Sequence, residues 1–164
     1  MPASTDRIEK RILLRAPLVR VWRAISDASE FGRWFGVRFD GPFAAGATLK
    51  GKITPTMADP EVAQRQKPYE GVTFNFAIER IEPMRTFSFR WHPYAVEQGV
   101  DYSREPTTLV VFTLEEVGEG TMLTVTESGF DRISVERRAR AFANNEQGWE
   151  SQTRLIEKYL AAAA

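Results

Sequence analysis

The chain has 164 residues, 43% hydrophobic and 12% aromatic, which suffices for one sizeable core. Its 22 acidic and 22 basic residues balance, so no global field recruits nucleic acid or an anionic membrane. It has no cysteine, which excludes disulfides, thiolate nucleophiles and Cys-based metal sites.

The amino terminus, MPASTDRIEKRILL, lacks the long apolar run of a signal peptide. No stretch approaches the ~20 apolar residues of a membrane span. One cytoplasmic domain over residues 1–164 is therefore expected, with an ordered core over about 6–160. Residues 6–15 read as a first strand, with Ile8, Ile12 and Leu14 apolar between charges. Pro17 opens a helix whose stripe is Leu18, Val21, Trp22 and Ile25. Ser29 is the expected cap of a second short helix carrying Phe31, Trp34 and Phe35, which Gly32 weakens. Two short strands follow within 36–54, punctuated by Gly-Pro and Ala-Gly. Residues 55–69 contain three prolines and little periodicity, which predicts a long loop.

GVTFNFAIERIEP then alternates cleanly, with Val72, Phe74, Phe76 and Ile78 on one face. TFSFRWHP repeats the pattern with Phe87, Phe89 and Trp91. A polar loop is expected over 95–106. TTLVVFTLEEV and MLTVTESGF form a hairpin around EVGEGT. Val110, Phe112 and Leu114 share a face in the first, and Leu123, Val125 and Glu127 in the second. Ser134 is a plausible cap for a final long helix. Runs of strands between helices indicate an α+β fold rather than a parallel α/β sheet. The final helix is the element long enough to cover the aromatic face of the sheet.

That helix has an unusual centre. Its expected stripe is Val135, Ala139, Phe142, Trp149, Ile156 and Leu160, and it passes over Asn145, Glu146, Gln152 and Thr153. Gly148 costs ~1 kcal/mol relative to alanine in a helix interior. Either the polar residues lie at the stripe's edge and reach water, or the helix covers a pocket whose polar groups orient a ligand within an apolar lining.

Four blocks in order resemble one family: RILLRAPLVRVWRAISDASEFGRWFG, TFSFRWHPYA, EPTTLVVFTLEEVGEGTMLTVTESGF and AFANNEQGWESQTRLIEKYL. They are similar to bacterial SRPBCC (START-like) proteins, in the branch named after the activator of a heat-shock chaperone ATPase. The resemblance implies a helix-grip fold: a curved antiparallel sheet of about seven strands around a long carboxy-terminal helix, with two short helices after the first strand. It also implies a cavity for an apolar small molecule between sheet and helix. Trp34 and Phe35, Trp91 with His92 and Pro93, Glu127 with Ser128 and Gly129, and Asn145, Glu146, Gly148 and Trp149 match the family's blocks. The family has no shared catalytic set to transfer. Thr153 departs from the leucine usual in relatives, which would make the pocket more polar there.

The expected function is binding of an apolar, aromatic or lipid-like molecule. Trp34, Phe35, Phe74, Phe76, Phe89, Trp91, Phe142 and Trp149 would supply apolar surface, and Asn145 and Glu127 would orient its polar end. The alternatives are a cyclase- or hydrolase-like enzyme using Glu127 and a chaperone-partner domain. Glu127 and His92 are the two catalytic candidates. The plainer reading of Glu127 pairs it with an arginine or makes it a cap of the last helix. His92 follows the inward-facing Trp91, which sends it outward unless the strand ends there. With one histidine, no metal is expected, and no cofactor, G-x-S-x-G or P-loop motif is present. ERRAR, residues 136–140, reads as a solvated basic turn. Beyond the small molecule, a homodimer and a chaperone are the candidate partners.

Overall fold

The structure, a computed structural model, describes residues 7–93, 102 and 104–162. Strand β1 (Arg7–Leu14) leads into α1 (Leu18–Ser26) and α2 (Ala28–Phe35). Strands β2 (Val37–Phe39) and β3 (Thr48–Ile53) precede a short helix α3 (Pro60–Gln66) and a single 3-10 turn (Lys67–Tyr69). Then come β4 (Thr73–Glu82), β5 (Thr86–Trp91), β6 (Thr108–Val117) and β7 (Gly120–Ser128). A second 3-10 turn (Phe130–Arg132) leads into α4 (Val135–Ala162). The strands form one antiparallel sheet in the order β1-β7-β6-β5-β4-β3-β2, curved around α4. The helices α1 and α2 carry the chain from one sheet edge, β1, to the other, β2.

Alternation decides which strand residues enter the core. Phe76, Ile78, Phe87, Phe89, Val110 and Phe112 are buried on the concave face. A register shift between Ile78 and Arg80 resets the phase of β4, so that Ile81 pairs with Phe87. The expected loop over 95–106 lies largely outside the described residues.

Three local expectations are corrected. The cap of α2 is Asp27, not Ser29: its carboxylate accepts from the Glu30 N–H at 2.9 Å. Residues 55–69 are not a plain loop. Asp59 caps α3 by accepting from the Glu61 and Val62 N–H groups, and Pro60 occupies the first turn, where proline costs no hydrogen bond. Only Val62 of that helix is buried, so seven residues carry no readable apolar stripe. The third correction concerns coverage. The aromatic face is covered by α2 as well as α4, because Phe31 sits 4.8–6.4 Å from the rings of Trp34, Phe35, Phe43, Phe76, Phe89 and Phe112.

Gly32 explains the weak pattern of α2. A Cβ there would lie 2.1 Å from the Val37 carbonyl oxygen, so the helix packs onto β2 only without a side chain. Gly32→Ala should lower stability by about 1–3 kcal/mol despite alanine's better helix propensity, as a thermal melt would read.

Glu30 of α2 ties α1, α2 and α4 together. It accepts from Arg20 at 2.7 Å and Tyr159 at 2.8 Å, and pairs with Arg23 at 2.6 Å. Burial by itself would raise its pKa. The hydrogen bonds from Tyr159 and Arg20 and the charges of both arginines outweigh burial and hold it below the ordinary 4.5. A depressed folded-state value stabilises the protein above about pH 4.5, and this contribution is lost as pH falls through the folded value. Chemical denaturation of Glu30→Gln at a series of pH values should therefore show a shallower acid loss than wild type.

Candidate functional site

The site starts from Glu127, the last inward residue of β7, opposite Val110 of β6 and Ile8 of β1. Its exposure is 0%. Four side chains from three other elements converge on its carboxylate. Trp149 Nε1 donates to Oε1 at 2.8 Å, and Trp91 Nε1 donates to Oε2 at 2.7 Å. Asn145 Nδ2 donates to both oxygens, at 2.9 and 3.1 Å, and Thr108 Oγ1 donates to Oε2. Glu127 thus pairs with no arginine and caps no helix, contrary to the plainer reading; among the described residues it forms no ion pair. Burying a carboxylate costs several kcal/mol, and hydrogen bonds to a charged group, worth about 1.5–3 kcal/mol each, offset this.

The carboxylate fixes two indoles. Trp91 ends β5, Trp149 lies in the middle of α4, and their rings are 5.8 Å apart at 31°. Phe35 stands 6.0 Å from each, and Phe74 stands 6.1 Å from Trp91. Above them a cleft of about 270 Å³ opens between α4, β5 and the end of α2. Phe35, Phe74, Trp91, Asn145 and Trp149 line it, five of the residues expected at a binding site.

The other expected residues are elsewhere. Trp34 is 1% exposed and donates its indole N–H to the Ala24 carbonyl, which makes it a brace between α1 and α2. Phe76 and Phe89 stack on each other at 3.8 Å within the core. Phe142 is half-buried and packs on Phe130, away from the cleft. Glu127 lies beneath the lining rather than in it.

Tyr69, Val72, Ile53 and Val37, from the β2–β3–β4 end of the sheet, also line the cleft and are not marked by periodicity as site residues. His92, a catalytic candidate expected outward unless its strand ended, comes into the cleft because β5 ends at Trp91. The His92 Nε2 lies 3.0 Å from the Glu105 carbonyl oxygen, as a donor. Glu105 is held in turn by Arg137 of α4, whose Nε donates to it at 2.7 Å. Arg138 donates to the Asp131 and Ile133 carbonyls, so ERRAR contributes structural contacts as well as a basic turn.

The α4 stripe also differs from expectation. Val135 is 77% exposed and Ala139 is exposed, whereas Ala141, Asn145, Trp149, Thr153, Ile156 and Leu160 face inward. Asn145 is therefore central to the stripe, and Glu146 is exposed. Thr153 hydrogen-bonds back to the Trp149 carbonyl at 2.9 Å and does not line the cleft, so of Gln152 and Thr153 it is Gln152 that adds polarity to the lining. A Cβ on Gly148 would meet nothing within 4 Å. Its missing side chain keeps the cleft open beside Trp149.

The Phe35 carbonyl, one of the orphan acceptors at the end of α2, receives the amides of Gln66 and Gln152, each at 3.2 Å. Gly36 takes the left-handed conformation there, at φ 93°. This contact joins α2, α3 and α4 at the cleft wall. Among the described residues no group of three His, Asp or Glu side chains gathers as a metal site, and no helix is long and apolar enough to cross a membrane.

A curved seven-stranded sheet gripping a long helix, with an aromatic cleft between them, defines a helix-grip protein. The chain belongs to the family of Activator of Hsp90 ATPase homolog 1-like proteins, whose model matches residues 15–161. No curated protein matches the sequence. Solved structures with this fold include a protein from Mesorhizobium loti, 20% identical with a TM-score of 0.70, covering 96% of this chain and 98% of that one. Another, from Arthrobacter aurescens, is 17% identical with a TM-score of 0.72, covering 98% and 90%. The Aha1 dimer from Colwellia psychrerythraea is 16% identical with a TM-score of 0.64, covering 92% of each chain.

Proposed function

We propose that this protein binds an apolar small molecule, aromatic or lipid-like, in the cleft between β5 and α4, as a cytoplasmic binding protein. The observation that carries this reading is the pair of indoles held by Glu127 at the floor of an open cleft. Fixed rings need little further ordering when a ligand stacks on them, which is the general route to affinity through preorganisation. Removing about 300 Å² of apolar ligand surface from water gains about 8 kcal/mol, on the order of micromolar binding before ordering costs.

Binding is better supported than catalysis through Glu127. Five donations from four side chains occupy both carboxylate oxygens, so no lone pair is directed at a cleft water. The family name and the dimeric Colwellia structure suggest a chaperone partner and a homodimer; ATPase stimulation in a mixing assay and sedimentation velocity test these separately. For the cleft itself, native mass spectrometry of protein purified from its own host should retain a small molecule. Protein that is ligand-free there, and that binds no apolar aromatic compound when titrated, would overturn the proposal.

A further inference from the structure

Glu127 is a buried negative charge without a counter-ion. Its side chain is 0% exposed and, among the described residues, forms no ion pair. The side chains that bond it, Trp91, Trp149, Asn145 and Thr108, are all neutral. The two indole N–H groups and the Asn145 amide nitrogen can only donate, an arrangement that fits the carboxylate anion. Neutral dipoles lower the cost of burying the charge and leave it uncancelled. Buried charges in folded proteins are ordinarily paired, and here the partner is missing.

Two indoles stand between this charge and the cleft. Trp91 and Trp149 line the cleft, and each directs its N–H at the carboxylate, at 2.7 and 2.8 Å. The surface they give the cleft is therefore ring carbon rather than N–H. An indole whose N–H is bonded to an anion is polarised toward its ring, and aromatic rings attract cations. Phe35, Tyr69 and Phe74 add three further aromatic side chains to the lining. Phe35 stands 6.0 Å from both indoles, so one bound group can lie within the ~6 Å reach of cation–π attraction for several rings. Among the described residues no lysine or arginine lines the cleft, and His92 commits its Nε2 to the Glu105 carbonyl. An unpaired anion below and aromatic carbon around it give the cleft a negative potential.

We infer that the cleft takes a ligand whose apolar body carries a quaternary ammonium group, and that this cation sits against the aromatic side chains as the counter-charge of Glu127. The inference rests on the cleft being a binding site, and it adds the sign of the ligand's charge. Glu127 does not touch the ligand: its charge acts across the indoles, where the protein interior screens it far less than water would. A quaternary ammonium suits the place because it brings positive charge without an N–H, whereas a primary ammonium would leave N–H donors facing ring carbon.

Isothermal titration of the full chain with three compounds of like shape tests this: 3-(trimethylammonio)phenol, its neutral counterpart 3-tert-butylphenol, and the anion 3-tert-butylbenzoate. Affinity should follow charge, with the cation at least about tenfold tighter than the neutral compound and the anion weakest. In Glu127→Gln, checked for folding by far-ultraviolet circular dichroism, the cation's advantage should shrink by at least about threefold. Equal binding of cation and neutral compound by wild type, tighter binding of the neutral compound, or a cation advantage undiminished in Glu127→Gln overturns the inference and leaves apolar binding standing. Absence of binding by all three counts against the cleft as an aromatic binding site and takes the inference with it. The wild-type charge series decides the matter even where Glu127→Gln folds poorly.

Discussion

Glu127→Gln should lower stability by about 3 kcal/mol, or roughly 6–12 °C in melting temperature for a chain of this size. The substitution is nearly isosteric, so the effect comes from hydrogen-bond polarity. The carboxylate accepts on both oxygens from donors that include two indole N–H groups, and an indole nitrogen can only donate. A glutamine offers one acceptor oxygen and one NH2. Either way round, the NH2 faces an indole N–H that sits 2.7 or 2.8 Å from a carboxylate oxygen in the wild type. At least one buried donor is then unpaired and two donors are opposed. Near-ultraviolet circular dichroism should change together with the melt, since the indoles lose their common anchor. A variant that melts like wild type but loses a measured turnover would reverse the assignment and make Glu127 a reactive group.

Gly148→Leu should have the opposite profile. A leucine in place of glycine in the interior of α4 gains about 0.8–1 kcal/mol from helix propensity, and the space beside it is open. The new side chain would enter the cleft next to Trp149 and occupy volume a ligand needs. Affinity for apolar aromatic ligands should fall by about a hundredfold or more, while the melting temperature holds or rises. Titration calorimetry alongside a thermal melt separates this from simple unfolding. Unchanged affinity would place the ligand elsewhere.

The strand order around the hairpin, the inward phase of Glu127 and the oddity of Gly148 were legible from periodicity and composition alone. The resemblance supplied the seven-stranded topology. What could not be read was the convergence on Glu127, because its partners lie 36, 19, 18 and 22 residues away on β5, β6 and α4. Periodicity reports which face a residue occupies and says nothing about what faces it across a fold. The projection of α4 went astray for a related reason. It followed apolar residues and so included Val135, Ala139 and Phe142, whereas the buried positions 141, 145, 149 and 153 recur every four residues and include an asparagine and a threonine. Phe76 and Phe89 were assigned to the cleft because alternation gives the face of a strand but not the depth along it. Helix α3 was missed because a seven-residue helix with one buried side chain has no period to detect.

The closeness of Trp91 and Trp149 has a spectroscopic consequence. Two indole chromophores with centroids 5.8 Å apart share their excited states, and the sign and size of the resulting exciton couplet depend on the angle between the planes. The molecule therefore carries its own optical gauge at the point where a guest would stack, sensitive to changes in orientation too small to alter the backbone.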